Sequence, residues 1–393
     1  MSTRSFPPRP DDADDRLDLD LDLDLDLDLD LSFVPEEDVD EAEADDDERL
    51  EIVVTERGTQ WSDGDDPDAI PADADLLATP ETVLPGGNRV ARFLGPLDRR
   101  TGLGGDVALL SDLDREGLAV FRTVWPGMTG RARAAIAGRL VASTDERYDL
   151  QFARIFMDLL SDQDAVVRQF AVTGLAEEEG SEIVERLVRL TEADSSTDVR
   201  AASAAALSEY ATAAAAGEDI GMDADELRDV LETIVVDEDE PSLVRRAALE
   251  SWAVFGSRGA DGFSTTVPEA IAEMYNRGET DSQASALIAM GRTLDLRWLS
   301  FVERDLASDD AELRLAAVRS AGQLGETTLV EPVTELTTDD DDEVRLAAVV
   351  ALGQIGGPGA IRVLRALAAD PARTDQDAVN EAIEEATLAA ESI

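Results

Sequence analysis

The chain of 393 residues contains no histidine, no cysteine and no lysine, so all 34 of its basic residues are arginine. Without imidazole or sulfur groups it has no thiolate nucleophile, no Ser-His-Asp triad and none of the usual zinc or haem ligands. Without lysine it lacks a Schiff-base amine and the lysine of a phosphate-binding loop. The composition therefore predicts no catalytic residues and no cofactor.

Carboxylates are the ligand class that remains for a metal ion, because Mg²⁺ and Ca²⁺ bind through oxygen. Four consecutive aspartates at positions 339–342 have the composition of such a site. We interpret them as a solvated acidic turn between helices, and the sequence predicts no metal site.

Long apolar runs are also missing from the chain. No segment reaches the roughly 18 apolar residues that a membrane-spanning helix needs. The first residues lack the apolar core of a secretion signal. We therefore expect a cytoplasmic protein with no membrane partner.

Acidic residues outnumber basic ones by 88 to 34, which gives a formal net charge of -54. Such an excess, with arginine in place of every lysine and only 4% aromatic residues, indicates a halophile whose cytoplasm contains molar potassium salt. At that ionic strength the Debye length is about 3 Å, so that surface repulsion is screened. A chain this negative gains nothing from counterion release, and we expect no nucleic-acid partner.

Charge and composition divide the chain into three parts. The first 88 residues contain 30 acidic and 5 basic residues and few apolar ones, so burial would not offset the entropy of ordering them. We predict a disordered acidic tail at 1–88, a linker with glycine and arginine at 89–110, and a folded domain at 111–393. Residues 17–31 of the tail alternate between leucine and aspartate. This run is either a low-complexity expansion or a motif that adds as a strand to a partner's sheet.

The folded domain contains an internal repeat. The segment Leu-Arg-Leu-Ala-Ala-Val at 313–318 returns as Val-Arg-Leu-Ala-Ala-Val at 344–349, and Gly-Gln-Leu-Gly at 322–325 returns as Gly-Gln-Ile-Gly at 353–356. Both pairs are 31 residues apart, a period that indicates a stacked-repeat architecture. Apolar residues spaced by three and four predict a helix that begins after Asp310 and ends at Gly325. A shorter apolar pattern from 329 to 336 predicts a second helix.

The pattern of an aspartate, Val-Arg, two small residues and Ala-Leu-Gly-x-x-Gly resembles the HEAT family, specifically the short HEAT-like repeats of the phycobilin-lyase type. Further units contain Arg168, Arg200 and Arg245, a weaker one lies at 131–137, and Gln283 replaces the arginine in another. The resemblance implies an all-α fold, a right-handed α-solenoid of about seven helix pairs with a capping helix at each end. It implies no particular activity, because HEAT arrays carry many functions.

In the HEAT family, the aspartate at the helix start and the arginine of Val-Arg commonly pair between repeats as a ladder. The resemblance therefore implies structural roles for Asp164, Arg168, Asp198, Arg200, Arg245, Asp310, Arg314, Asp342 and Arg345. Gln283 is expected to interrupt this ladder.

In HEAT arrays the second helix of each pair usually lines the concave surface, where partners bind. The arginines expected on this surface are Arg186, Arg189, Arg228, Arg304, Arg362 and Arg365. On an acidic protein such a row would attract an acidic partner or a carboxylate or phosphate ligand. The alternative is that each arginine pairs with a carboxylate on its own helix.

A second candidate site is the turn at 290–298, which contains Arg292, Arg297 and Trp298 in the unit without a ladder arginine. Arginine beside tryptophan suits stacking on a planar or anionic group. The alternative is that Trp298 fills the gap between repeats while both arginines pair with Asp295.

Together these patterns favour a non-enzymatic scaffold or adaptor that binds protein partners on the concave face. The alternative is an accessory protein, lyase-like or associated with an oxidoreductase, that binds a cofactor in the groove. The two differ in what should co-purify at native salt, which is a partner protein for the first and an absorbing ligand for the second.

Overall fold

The computed structural model describes residues 86–256, 266–369 and 376–391, and these contain α-helices and short 3-10 turns but no strand. They begin with two capping helices, α1 (Gly86–Leu94) and α2 (Arg115–Val124). The predicted tail lies outside the described residues, apart from its last three positions, and so does the leucine–aspartate run.

Seven helical hairpins follow within the described residues, each made of a first and a second helix, so the predicted number of about seven is confirmed. They are α3 (Gly130–Glu146) with α4 (Ala153–Leu159), α5 (Ala165–Thr173) with α6 (Ser181–Ala193), α7 (Thr197–Ala216) with α8 (Ala224–Val236), α9 (Ser242–Trp252) with α10 (Thr266–Asn276), α11 (Thr280–Arg292) with α12 (Leu299–Asp305), α13 (Ala311–Leu324) with α14 (Val330–Leu336), and α15 (Asp342–Ile355) with α16 (Gly357–Ala368). A last helix, α17 (Gln376–Glu391), packs against α15 and α16.

The segment 89–110 does not form the linker that its composition suggested. Helix α1 buries Val90 and Phe93, and a 3-10 turn at Val107–Leu110 buries both of its end residues. The carboxylate of Asp114 accepts hydrogen bonds from Gly117 of α2 and, at 3.3 Å, from the first amide of α1. The glycines and arginines of this segment concealed five apolar residues that join the core, so the folded unit begins earlier than predicted.

The helix ends follow the capping signals in the sequence. Asp310 accepts a hydrogen bond of 3.0 Å from the second amide of α13, and Gly325 ends that helix with a left-handed φ of 65°. Asp341 does the same for α15 with two hydrogen bonds. A carboxylate at the start and a glycine at the end satisfy backbone groups that the helix itself leaves unpaired.

The first helices pack directly on one another along the stack, whereas the second helices meet only sparsely. Small residues make the close approach possible. A Cβ atom on Gly291 of α11 would lie 2.7 Å from the Cα of Ser320 in α13, and one on Gly353 of α15 would lie 2.9 Å from the Cα of Ala382 in α17. The first glycine of the repeat pattern is therefore needed for helix contact, and the first helices form the tightly packed face of the stack.

Candidate functional site

Ladder arginines bind the acidic turn of the following repeat. Arg168 donates through Nε and Nη2 to the two oxygens of Asp194 at 2.8 and 2.7 Å. Arg314 binds Asp339 in the same way, with both distances at 2.7 Å. All four side chains are largely buried. These bidentate pairs join successive hairpins and fix their register.

The ladder carboxyls are held in the ionised form. The hydrogen bond from Arg314 has the largest effect on Asp339 and, helped by the amide of Asp341, it lowers the pKa of that carboxyl in spite of burial. Burial acts most strongly on Asp194 and raises its pKa, but hydrogen bonds from Arg168 and other groups outweigh it, so that the pKa is lowered. Both carboxylates are therefore charged at neutral pH.

The predicted ladder aspartates do not complete the ladder. Asp164 and Asp310 cap their own helices, with hydrogen bonds of 3.1 and 3.0 Å from first-turn amides. Asp198 is exposed in the first turn of α7, and Asp342 contacts Arg345 of its own helix. Asp310 also accepts a hydrogen bond of 3.2 Å from Thr280 of the preceding repeat, but that partner is a hydroxyl and not a ladder arginine. The carboxylates that pair with the ladder arginines lie instead in the turn after each second helix. In most repeats they stand six residues before the residue that occupies the ladder-arginine position of the next repeat.

Two more rungs follow the same plan. Arg200 donates to Glu240 at 2.8 Å, and Arg133 lies 3.1 Å from Asp162, which also accepts a 2.7 Å hydrogen bond from the indole of Trp125. Arg133 was not assigned to the ladder from the sequence. It belongs to the weak unit at 131–137, and its alignment with the stronger units was the available signal.

The ladder is interrupted in the middle of the stack. Arg245 is buried and its Nε donates to the carbonyl of Val235 at 2.9 Å. Arg277 occupies the position at which an acidic partner for Arg245 is expected. Burial has the largest effect on the pKa of Arg245 and lowers it, and the positive charge of Arg277 lowers it further. The next rung has Gln283 in place of the arginine and Ser308 in place of the acid. The predicted interruption therefore affects two successive pairs. Two arginines occupy the first pair of positions, and two uncharged residues occupy the second.

Several arginines of the second helices are neutralised locally, which is the alternative that the sequence left open. Arg189 pairs with Glu185 at 3.0 Å, four residues earlier on α6. Arg304 pairs with Asp305 at 3.0 Å and lies over the ring of Tyr275, with 5.0 Å between its Cζ and the ring centroid. These side chains are occupied by their own helix or its neighbour.

The other members of that row divide into two groups. Arg228 lies between two aspartates of α8, at 2.6 and 2.9 Å. Arg186 is partly exposed on α6, and Arg362 and Arg365 are exposed on α16. Among the described residues no carboxylate forms an ion pair with these three. They are therefore the accessible part of the predicted row.

The turn at 290–298 separates the residues that the sequence grouped together. Trp298 is buried in the hydrophobic core, so it is no stacking platform. Arg297 binds Asp295, as the alternative predicted. Arg292 points away from this pair, towards the first helices, and Leu294 is exposed with a left-handed φ of 53°.

The first helices carry an ionic network that the sequence did not reveal. We call Arg246, Arg292 and Arg319, together with Glu250, the arginine cluster. Ser285 donates a hydrogen bond to the Glu250 carboxylate, and the three arginines interact with it electrostatically. Burial raises the pKa of Glu250, and these four groups oppose the rise. The signal in the sequence was charge at repeat positions that are uncharged in most other units.

Neither a metal centre nor a membrane span appears in the described residues. No three or more of their acidic side chains form a group that could hold a metal ion. No helix in this part of the chain is long and apolar enough to cross a bilayer.

Comparison with solved structures gives matches of low identity. The complex of CpcE and CpcF of phycocyanin lyase from Nostoc sp. PCC7120 is 16% identical, with 60% of this chain and 94% of that chain covered and a TM-score of 0.41. An engineered protein is 20% identical, with coverage of 52% and 96% and a TM-score of 0.33. Human deoxyhypusine hydroxylase in complex with glycerol is 15% identical, with coverage of 78% and 97% and a TM-score of 0.30. No curated protein sequence matches the chain.

The family model for HEAT repeats matches residues 153–253 and 300–384. The first segment covers the helices from α4 to α9, and the second covers those from α12 to the middle of α17. The unmatched stretch between them contains the repeat in which the ladder is interrupted. The match, the stacked hairpins and the arginine ladder agree, and residues 153–253 and 300–384 of the chain are HEAT repeats.

Proposed function

We propose that this protein is a non-enzymatic scaffold that binds partner proteins along its helical stack in a high-salt cytoplasm. The observation that carries the proposal is the set of accessible arginines on the second helices, Arg186, Arg362 and Arg365. They lie on a chain with a net charge of -54 and have no ion pair with a described carboxylate. An unneutralised guanidinium on an acidic surface favours a carboxylate from a partner.

High salt determines which contacts can contribute to such binding. At about 2 M KCl the Debye length is only a few ångströms, so long-range repulsion by the acidic surface is suppressed. Hydrogen-bonded pairs at contact distance and buried apolar surface persist under these conditions. A scaffold of this kind is expected to select partners by short-range complementarity and to lose them when its contact arginines are reversed in charge.

The proposal is tested by purifying the tagged full-length chain with its partners in about 2 M KCl and identifying the bound proteins by mass spectrometry. The test variant carries Arg186→Glu, Arg362→Glu and Arg365→Glu. The control carries Arg92→Glu, Arg115→Glu and Arg131→Glu, which are three exposed arginines far along the chain from α16. The charge change is the same in both variants.

We expect the same partner with the wild-type chain and with the control, and at least a tenfold smaller yield with the test variant, as for the loss of contacts to charged groups of about 1.5–3 kcal/mol. Equal yields from both variants would remove these arginines from the binding surface. If the wild-type chain recovered no partner protein but carried an absorbing ligand, the scaffold proposal itself would fail.

A further inference from the structure

Intact ladder arginines connect two successive turns of the stack. Besides binding the carboxylate in the turn after its hairpin, each donates through Nη1 to a carbonyl in the turn before its own helix. Arg168 reaches the carbonyl of Asp162 at 2.8 Å, and Arg200 reaches that of Asp194, also at 2.8 Å. Arg314 makes the same contact to the carbonyl six residues earlier. The polar connection along the turns therefore runs unbroken from residue 162 to residue 240.

Arg245 does not continue this connection. Its Nε donates to the carbonyl of Val235 in α8 instead of the turn before α9. Arg277, which follows α10, pairs with Glu273 of its own helix at 3.1 Å. Among the described residues, no hydrogen bond or ion pair joins the turn before α9 to the turn after α10. The row of connected turns is therefore open at this repeat.

The second missing ladder pair is replaced by other contacts. The hydroxyl of Tyr275, near the end of α10, donates to the carboxylate of Asp305 at 2.5 Å, and both residues are buried. The hydroxyl of Thr280 at the start of α11 donates to Asp310 at 3.2 Å. These contacts hold the turn after α10 to the turn after α12 without a charged pair. The open position thus lies between α9 and α10.

The first helices remain in contact at the same junction. Arg246 of α9 pairs with Asp281 of α11 at 2.9 Å, and Ser285 of α11 donates a hydrogen bond to the carboxylate of Glu250 on α9. The packing of α9 on α11 is nevertheless less extensive than that of α7 on α9 or of α11 on α13. The junction is therefore held on the face of the first helices and open along the turns.

This distribution of contacts favours bending. Two packed blocks that are held along one edge rotate about that edge, and hinges of this kind absorb the change at a few residues. The blocks themselves are stiffened by buried ladder pairs, Arg168 with Asp194 before the junction and Arg314 with Asp339 after it. The HEAT model leaves residues 254–299 unmatched, so the same junction also departs from the family pattern.

We infer that the stack bends between α9 and α10 because the ladder pair is missing there, with the contacts of α9 to α11 as the pivot. The bend sets the distance between Arg186 on α6 and the pair Arg362 and Arg365 on α16, which lie on opposite sides of the junction. The bend is a property of the stack alone, and only its effect on binding rests on the proposed scaffold function. A partner that contacts both groups of arginines would hold the stack at one angle.

The test uses spin labels on the full-length chain, which contains no cysteine of its own. The first labelled pair is Asp239→Cys with Asp309→Cys, and it spans the two hairpins in which the ladder is interrupted. The control pair is Ser161→Cys with Asp239→Cys, which spans two hairpins with intact ladder arginines. All three positions are exposed. Double electron–electron resonance in about 2 M KCl measures the distribution of distances within each pair.

We expect the distance distribution of the first pair to be about twofold broader than that of the control pair. Arg277→Asp supplies the carboxylate that Arg245 lacks, and it is expected to narrow the first distribution to the width of the control. Arg277→Gln removes the same positive charge without supplying an acid, and it is expected to keep most of the width. Circular dichroism confirms that each variant is folded.

A third labelled pair follows the accessible arginines. Glu182→Cys on α6 and Ala366→Cys on α16 are both at exposed positions, one on each side of the junction. Their distance distribution is expected to be broad in the otherwise unchanged chain and to narrow when Arg277→Asp is added. A width that Arg277→Asp does not change would show that the bend does not set the spacing of the arginines.

Three results from the first two pairs would overturn the bend itself. The first is equal width for both pairs, and the second is an unchanged width of the Asp239 and Asp309 pair in Arg277→Asp. The third is equal narrowing in Arg277→Gln, which would trace the bend to charge repulsion and not to the missing ladder pair. None of them touches the scaffold function, which is tested by partner recovery. Conversely, a broad distribution in a chain that recovers no partner would keep the bend and remove its role in binding.

Discussion

At the scale of single residues, the ladder pairs matter because they are shielded from water. The side chains of Arg314 and Asp339 are only 15% and 7% accessible. Such a buried pair differs from a surface pair mainly in the stability that is lost when one member is removed. The loss is large because the remaining charge is then buried without a partner. The two members are therefore best tested one at a time.

Replacing Asp339 by asparagine should lower the free energy of unfolding by about 2–4 kcal/mol, because Arg314 would keep its buried charge without a carboxylate. The measurement is urea unfolding in concentrated KCl, followed by circular dichroism. The exposed neighbour Asp340 gives the matched control, Asp340→Asn, for which we expect almost no change. Equal effects of the two substitutions would contradict a special role for the ladder.

The loss in Asp339→Asn should depend on pH. Arg314 holds the pKa of Asp339 below its ordinary value of 3.8. The carboxylate therefore stabilises the folded chain at every pH above 3.8, and its contribution disappears as the pH falls through the lower pKa of the folded state. The difference between wild type and variant should stay constant at neutral pH and vanish in strong acid.

The ladder also separates what the sequence could reveal from what it could not. Arg168 and Arg314 were identified because they recur within a repeated motif. Asp194 and Asp339 were missed as ladder partners because the position six residues before the next ladder residue is not acidic in every repeat, as Arg277 and Ser308 show. The contact between Glu250 and Arg292 was missed for another reason, since the two residues meet only when α9 and α11 are stacked.

At the scale of helices, local signals were reliable and composition was misleading. The aspartate before α13 and the glycine after it were identified from the sequence, because a cap depends on a few adjacent residues. Helix α1 was missed because its glycines and arginines suggested a linker, although Val90 and Phe93 are buried. Whether a short amphipathic segment folds depends on the surface that receives it, and that surface is distant in the sequence.

The contact between α11 and α13 depends on a glycine. In Gly291→Ala the new methyl group would lie 2.7 Å from the backbone of Ser320, so the two helices would have to separate. We expect a loss of about 1–3 kcal/mol in the free energy of unfolding, as for other overpacked cores. Gly127→Ala is the control, because nothing lies within 4 Å of its Cβ position. A Gly291→Ala variant as stable as this control would disprove the close contact.

At the scale of the whole molecule, the net charge of -54 opposes compaction. Each acidic group repels many others, and the mobile ions of the salt screen this total repulsion. The ladder pairs are internal and short, so they are much less sensitive to salt than the surface. The chain should therefore keep its local pairs in dilute buffer while it loses overall stability.

Lowering KCl from about 2 M to about 0.1 M should reduce the thermal midpoint by more than 10 °C, because the Debye length grows from a few ångströms to about 10 Å. The midpoint is measured by circular dichroism at 222 nm. Sodium chloride at the same ionic strength should give nearly the same curve, since screening depends on ionic strength. A midpoint independent of salt would contradict adaptation to a concentrated cytoplasm.

The neutral rung has a consequence for how this stack diverged. At the positions where other repeats have an arginine and an acid, Gln283 and Ser308 are both uncharged. Had only one of them changed, an unpaired charge would have remained between two hairpins at a substantial cost in stability. Substitutions at 283 and 308 are thus expected to occur together. Among proteins that descend from a common ancestor, the two positions should be either an arginine with an acid or two uncharged residues.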